Sequence, residues 1–218
     1  MPPVFHDNHL MRFVPLLPSL QPPQPWRPFP AVELAWQGAL HPDWTRVGLQ
    51  TPQVHAIHLP AAPWDHALGA TAMAALRPGL DLDFLVLPAT VPGDRMAISR
   101  FMTVLEGLLE LTHGTGVKLA LRPGPGAAPG LLKLLDEARG EAVGFCWDAG
   151  VGEALDPIAH RLYCAVGAPG AAYDGLQRLG YRWNLALPGD DPETSLAALQ
   201  GPAQAHPAVL FPADLELP

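Results

Sequence analysis

The chain has only two cysteines and two lysines among its 218 residues, and charged residues make up only 16% of it. The two cysteines, Cys146 and Cys164, cannot supply a disulfide framework, and in a reducing compartment such residues are usually small buried hydrophobes. The basic residues are scattered and the formal net charge is -8. The chain therefore lacks the positive surface that binds nucleic-acid phosphates, and we expect no nucleic-acid partner.

Long apolar runs are also missing. No window approaches the roughly 18 to 20 apolar residues of a membrane span. The first ten residues have neither the basic region nor the apolar run of a signal peptide. We therefore expect a cytoplasmic protein with no membrane partner. The abundance of proline and glycine, 27 and 21 residues, together with the scarcity of lysine, is typical of a bacterial protein from a GC-rich genome.

Hydrophobic residues, in contrast, make up 49% of the chain. This is enough apolar material for a packed core, and the length is typical of one barrel domain. No low-complexity linker divides the sequence. We therefore predict a single domain over residues 1–218, with residues 1–10 as a disordered extension whose histidines are not ligands.

Short β-like runs recur along the chain and end in proline, glycine or aspartate, and from the third run onward amphipathic helical stretches alternate with them. This alternation is typical of a parallel sheet, and eight such runs predict a closed (β/α)8 TIM barrel. The predicted strands are Arg12–Leu17, Val32–Trp36, Val54–Leu59, Asp83–Leu87, Lys118–Arg122, Val143–Asp148, Tyr163–Val166 and Trp183–Leu187. The predicted helices are Asp65–Leu76, Asp94–His113, Pro129–Arg139 and Asp174–Leu179, with two more opened by Asp156-Pro157 and Asp191-Pro192.

The N-terminal quarter departs from this alternation. Residues 21–30 contain five prolines and cannot form a helix, and residues 37–53 have room for about one helical turn. The first two outer helices should therefore be missing or reduced. The second strand would then be partly uncovered at Val32, Leu34 or Trp36 unless the proline-rich segment or a second copy of the chain packs over it. A homodimer is thus one predicted assembly.

From residue 83 onward the order of motifs resembles the sugar-phosphate isomerase/epimerase and AP-endonuclease-type group of xylose isomerase-like TIM barrels. The motifs include a strand that ends in Pro88, Gly116-Val-Lys-Leu-Ala-Leu-Arg122, Val143-Gly-Phe-Cys-Trp-Asp148 and Leu179-Gly-Tyr-Arg-Trp-Asn-Leu-Ala-Leu187. Val32-Glu33-Leu34 and His55-Ala-Ile-His58 are similar to the second and third strands of that group. The resemblance implies the barrel fold and a site at its C-terminal mouth.

The resemblance also implies a divalent metal held by carboxylates and histidines at the strand ends. This sequence departs from that ligand set at most positions. Arg122 stands where the group has a glutamate, and Leu87 and Val151 stand where it has histidines. Residues 165–169 lack the expected histidine and aspartate, and Ala186 or Leu187 stands in place of the last glutamate. We therefore expect no metal and no other cofactor. Bound manganese or zinc at the mouth would contradict this interpretation.

Three polar residues remain as candidate catalytic groups at the mouth, namely Glu33, His58 and Asp148. Arg122 and Trp147 are the candidate ligand-binding residues. Arg122 would bind an anionic group of the ligand, and the ring of Trp147 would stack on a sugar. We expect Arg122 to form an ion pair with Asp148 on the neighbouring strand. In His55-Ala-Ile-His58 the odd spacing sends the two histidines to opposite faces of a strand, so only His58 should face the mouth.

These residues leave three functions open. The leading prediction is a degenerate relative of the sugar isomerase/epimerase barrels that binds, at most, a small sugar-like or anionic ligand. The first alternative is an active isomerase, epimerase or lyase on a small sugar or hydroxy acid, with Glu33 or Asp148 as base, His58 as acid and Arg122 holding an anionic group. The second alternative is a protein-interaction module that uses the exposed barrel wall.

Overall fold

The computed structural model describes residues 12–23, 31–45, 53–137, 142–152, 154–168, 174–181 and 183–188. Eight parallel strands close into one barrel in chain order, each paired with its neighbours and β1 paired with β8. The strands are β1 (Arg12–Pro18), β2 (Ala31–Ala35), β3 (Gln53–His58), β4 (Phe84–Ala89), β5 (Lys118–Pro123), β6 (Val143–Asp148), β7 (Leu162–Val166) and β8 (Asn184–Pro188). The eight predicted strands and the predicted (β/α)8 barrel are confirmed.

Four α-helices are described outside the barrel: α1 (His66–Leu76), α2 (Arg95–Thr112), α3 (Ala128–Glu137) and α4 (Asp174–Arg178). The predicted aspartate caps are present, since Asp65 Oδ1 accepts from Ala67 N and Asp94 Oδ1 accepts from Ala97 N, both at 2.8 Å. These bonds satisfy N–H groups that the first helical turn leaves without partners. The caps thus explain why α1 and α2 begin where they do.

One predicted helix start is wrong. Asp156-Pro157 opens a six-residue 3-10 helix, Asp156–Arg161, instead of an α-helix. The residue at the cap position is Leu155, and it makes no side-chain capping bond. Because the segment has no N-cap bond and β7 already begins at Leu162, it forms only a short 3-10 helix. The helix predicted after Asp191 lies outside the described residues.

The barrel separates two hydrophobic layers because side chains alternate between the two faces of each strand. The inner cluster contains mostly small side chains, and the larger outer cluster packs between the strands and the helices. The inner cluster consists of Val14, Ala31, Ala56, Phe84, Val86, Ala120, Cys146, Cys164, Val166 and Ala186.

The crossover after β2 contains one helical turn in its described part, the 3-10 helix Pro42–Thr45, as the short segment predicted. Three side-chain hydrogen bonds tie this crossover to the segment after β1. The buried Ser19 hydroxyl donates to Ala39 O at 2.6 Å and accepts from Gln37 N at 2.9 Å, and the Trp44 indole N–H donates to Gln21 O at 2.7 Å. The described part of this crossover is therefore held against the segment that follows β1.

The wall of β2 is covered within a single chain. Val32 and Leu34 are 0% exposed and Trp36 is 6% exposed. A second copy is thus not required to bury them, although the proline-rich residues 24–30 that we predicted as a lid lie outside the described part. No helix among the described residues is long and apolar enough to cross a membrane.

Candidate functional site

Glu33 and His58 form a buried pair inside the barrel. Their strands are neighbours, and the β2–β3 register shifts between Val32 and Glu33, so that Glu33 is paired with Ala56, two residues before His58. His58 Nε2 lies 2.5 Å from Glu33 Oε2, and the two side chains are 2% and 1% exposed. The contact joins a carboxylate and an imidazole that are both shielded from water. This arrangement can hold or transfer a proton, which is the chemistry of an acid–base pair.

Each member of the pair keeps one polar atom without a partner. Among the described residues, Glu33 Oε1 and His58 Nδ1 are buried and make no hydrogen bond. Most buried polar atoms in proteins do find partners, and an unsatisfied one costs about 1–3 kcal/mol. Two such atoms on one pair point to a group that the described residues do not provide.

Arg122 lies two residues after the inward-facing Ala120 on β5, so its side chain begins on the inner face near the C-terminal end of that strand. It is half-buried, and within the described part of the chain its guanidinium makes no hydrogen bond or ion pair. Burial raises the pKa of the Cys164 thiol well above its ordinary value, and Glu33 adds to this while Arg122 opposes it. The side chains of Glu33 and Arg122 therefore both lie near this thiol.

The predicted ion pair between Arg122 and Asp148 is wrong, because no such pair occurs between these two described residues. Asp148 Oδ1 instead accepts the backbone N–H of Gly150 at 2.8 Å, in a turn that follows β6. A local bond of this kind competes with a long-range one, since aspartate readily bonds its own backbone two residues on. Asp148 is half-buried and caps its loop.

Trp147 lies on the opposite face of β6 from Cys146 and Asp148. It is 9% exposed and belongs to the outer hydrophobic layer between strands and helices. The indole therefore packs outside the barrel, where it does not share the interior with Arg122. The ligand-binding role that we predicted for Trp147 has no support from this position.

The two histidines of His55-Ala-Ile-His58 lie on opposite faces, as their odd spacing predicted. His55 Nδ1 contacts the carboxylate of Asp83, which immediately precedes β4, and this carboxylate is half exposed. This second histidine–carboxylate pair lies outside the interior that holds Glu33 and His58. It joins the same two chemical groups as the buried pair, but with greater exposure to solvent.

Sequence reasoning missed two relationships. It proposed Glu33 and His58 separately without predicting their contact, and it treated the cysteines as unrelated. Cys146 and Cys164 are direct partners across β6 and β7, and both belong to the inner cluster. Alternation along each strand could have placed each cysteine inside the barrel, but only the register between strands shows that they meet.

Among the described residues, no group of three or more histidine, cysteine, aspartate or glutamate side chains is placed to hold a metal ion. Structural zinc sites use four protein ligands and catalytic ones three, while calcium takes six to eight oxygens. Glu33 and His58 each direct one polar atom at the other, and Asp148 directs one at its own loop. This donor set does not fit the divalent ion that the sequence resemblance implied.

No protein-family model matches this sequence, and no curated protein matches it significantly. Solved structures do match it in fold. A 3-keto-D-glucoside 4-epimerase from E. coli is 13% identical and covers 87% of this chain and 99% of its own, with a TM-score of 0.64. An AP endonuclease of family 2 from Brucella melitensis is 14% identical, covering 87% and 98%, with a TM-score of 0.62.

A xylose isomerase domain protein from Planctomyces limnophilus is 15% identical and covers 89% of this chain and 95% of its own, with a TM-score of 0.57. Identities this low show a shared fold and no more. The chain resembles these xylose isomerase-like, epimerase and AP-endonuclease TIM barrels in fold. The predicted resemblance is confirmed at the level of the fold.

Proposed function

We propose that this xylose isomerase-like barrel has lost metal-dependent catalysis and binds a small sugar-like or anionic ligand at its mouth. The observation that carries the proposal is the direct contact between Glu33 Oε2 and His58 Nε2. A carboxylate and an imidazole that bond each other each have one atom fewer to offer a metal. One oxygen and one nitrogen of the pair are also buried without a hydrogen-bond partner among the described residues.

The charge at the end of β5 supports the same proposal. The sequence resemblance implies a glutamate there, and this chain has Arg122. A guanidinium remains protonated at all accessible pH values, so it repels a cation and attracts an anion. Replacing a carboxylate by this group changes the preference of the site from a metal ion to an anionic group of a ligand.

The alternative of an active isomerase, epimerase or lyase has one observation in its favour. Glu33 and His58 lie within hydrogen-bond distance of each other, which is the geometry of a paired base and acid. Such a reaction would proceed by proton transfer at the ligand without a metal. The third function, a protein-interaction module, loses its argument because Val32, Leu34 and Trp36 are already buried within one chain.

A thermal-shift screen tests the proposal with sugars, sugar phosphates and the chlorides of manganese and zinc, each with and without a chelator. A ligand that prefers the native state raises the melting temperature. We expect at least one sugar or sugar phosphate to raise it in the presence of chelator, and we expect the metals to have no effect. Chelator-reversible stabilisation by manganese or zinc would overturn the proposal and favour a metalloenzyme.

A further inference from the structure

A cavity of about 220 Å³ opens at the end of the barrel where the strands begin, opposite the mouth. It lies between the 3-10 helix Asp156–Arg161, the start of β7 and the connection from α4 to β8. The side chains that line it in the described part of the chain are apolar or aromatic, and the hydroxyl of its tyrosine already donates to Asn184 O at 2.7 Å. This cavity, called the basal groove below, is lined by Ala159, Leu162, Leu179, Gly180, Tyr181 and Trp183.

Two exposed hydrophobic residues form the rim of the basal groove. Leu179 is 43% exposed and Trp183 is 50% exposed, and they are two of the six large hydrophobic residues that are exposed among the described residues. The Trp183 ring is also fixed in place, because it packs edge-on against the buried Phe84 with ring centroids 6.0 Å apart. Single exposed apolar residues are common, but a cluster of them around a cavity indicates a contact surface.

The N-terminal segment, residues 1–11, begins beside this groove. Arg12 N donates to Trp183 O at 3.3 Å, and Arg12 is paired with Asn184 where β1 meets β8. The chain that precedes Arg12 therefore leaves the barrel at Trp183. Eleven residues reach at most roughly 40 Å from that point. Because the segment is tethered at the groove, the effective concentration of its side chains there is on the order of millimolar.

The composition of this segment suits an apolar groove. Five of its eleven residues are large and apolar, it has no lysine or arginine, and its one acidic residue is Asp7. Segments that stay disordered usually have low hydrophobicity and high charge. The Asp7-Asn8 dipeptide favours a turn, and a turn there brings Phe5 back alongside Leu10. The large apolar residues are Met1, Val4, Phe5, Leu10 and Met11.

We propose that residues 1–11 fold back over the end of the barrel where the strands begin, and that Phe5 and Leu10 cover the basal groove. The occupant of the groove is thus a segment of the same chain, and the contact shields Leu179 and Trp183 from water. This replaces the disordered extension that we expected for residues 1–10, which lie outside the described residues. The contact is separate from the ligand proposed at the mouth and does not depend on it.

Hydrogen exchange of the full-length protein, followed by mass spectrometry, tests whether the segment is held. We expect its amides after Pro3 to exchange at least about tenfold more slowly than in a free peptide of residues 1–11. The double substitution Leu179→Ser/Trp183→Ser removes the rim of the groove and should return these amides to the rates of the free peptide. The matched control is Met73→Ser/Met96→Ser, because these residues are 55% and 75% exposed on α1 and α2, and it should keep the protection.

Tryptophan fluorescence tests which side chains cover the groove. Phe5→Ser/Leu10→Ser in the full-length chain should increase the quenching of Trp183 by acrylamide. The same two substitutions in a Trp183→Phe background should change nothing, because the indole that they expose is then missing. His6→Ser/His9→Ser is the control within the same segment and should be quenched as the wild type is. Circular dichroism establishes that each variant is folded, and exchange of the wild type decides the matter for any variant that is not.

Four outcomes would overturn the proposal. Exchange of the wild-type segment at the rates of the free peptide would show that it is not held. Protection that persists in Leu179→Ser/Trp183→Ser would place the segment elsewhere on the protein. Quenching that is unchanged in Phe5→Ser/Leu10→Ser would show that these two side chains do not cover Trp183. Shielding of Trp183 that rises with protein concentration, together with a dimer in light scattering, would show that a second copy occupies the groove.

Discussion

Cys146 and Cys164 face each other across β6 and β7 inside the barrel, 0% and 1% exposed. Burial raises the pKa of the Cys164 thiol well above its ordinary value, and the hydrogen bond that this thiol donates to Cys146 adds to that effect. The thiolate is the reactive form of cysteine, so both the burial and the raised pKa protect this thiol.

The first prediction concerns this protection. In the folded protein at pH 8, neither thiol should react measurably with a disulfide reagent such as Ellman's reagent, and both should react after unfolding in guanidinium chloride. Titration of released chromophore in the two conditions measures this. Two thiols that react at full rate in the native protein would show that the barrel interior is open.

From the raised pKa of the same thiol we expect the free energy of unfolding to fall at alkaline pH. Because the folded protein holds the Cys164 proton more tightly than the unfolded chain does, the stabilisation is complete below the unfolded pKa of about 8.5 and declines as pH rises above it. The free energy of unfolding should fall by up to about 1.4 kcal/mol per pH unit there. Urea denaturation of the wild type and of Cys164→Ala from pH 7 to 10 measures this decline. The free energy of unfolding should fall less steeply with pH in the variant.

The second prediction concerns the buried Glu33–His58 pair. Removing one partner leaves the other buried without its hydrogen bond, so Glu33→Leu and His58→Leu should each cost roughly 3–5 kcal/mol. The double variant should cost clearly less than the sum, because neither buried polar group then remains. Urea denaturation of the four proteins gives the coupling energy.

The exposed pair His55–Asp83 is the matched control, since it joins the same two chemical groups at side chains that are 16% and 51% exposed. Its coupling energy should be below about 1 kcal/mol. Equal couplings for the two pairs would contradict the interpretation of Glu33 and His58 as a desolvated pair.

The third prediction tests the packing at Gly144 on the inner face of β6. A Cβ atom added there would lie 2.3 Å from Cδ2 of Tyr163, whose ring packs across this position. Gly144→Ala should therefore destabilise the protein by about 1–3 kcal/mol. Gly107→Ala, in the middle of α2 with open space around it, should instead stabilise by roughly 0.5–1 kcal/mol. Thermal denaturation of both variants measures these changes. An unchanged stability of Gly144→Ala would show that the Tyr163 ring moves aside.

The fourth prediction concerns the hydrogen bonds that hold the described part of the crossover after β2 against the segment after β1. Ser19 is fully buried, and Ser19→Ala would leave Gln37 N–H and Ala39 C=O without this partner. We expect a loss of about 1–3 kcal/mol. Ser99→Ala on the exposed side of α2 should change stability by less than about 0.5 kcal/mol. A Ser19→Ala variant as stable as the control would mean that the loop is not held by this hydroxyl.

Some features of the site could be read from short stretches of sequence. Apolar runs bounded by proline, glycine and aspartate located all eight strands, because strand formation depends on local patterning. The aspartates before α1 and α2 cap their helices as predicted, since an N-cap bond spans only two or three residues. The placement of Trp147 was also available, because alternation with Cys146 and Asp148 sends its ring to the outer face.

By itself, then, the sequence determined the eight-stranded barrel and the opposite faces of His55 and His58, both of which depend on neighbours along the chain. Only the tertiary structure decided which polar groups meet. Glu33 contacts His58 because of a shift in register between β2 and β3. Asp148 bonds Gly150 and not Arg122, because a local turn competes for the carboxylate. Such pairings depend on strand register and on competition between partners, and neither exists until the barrel closes.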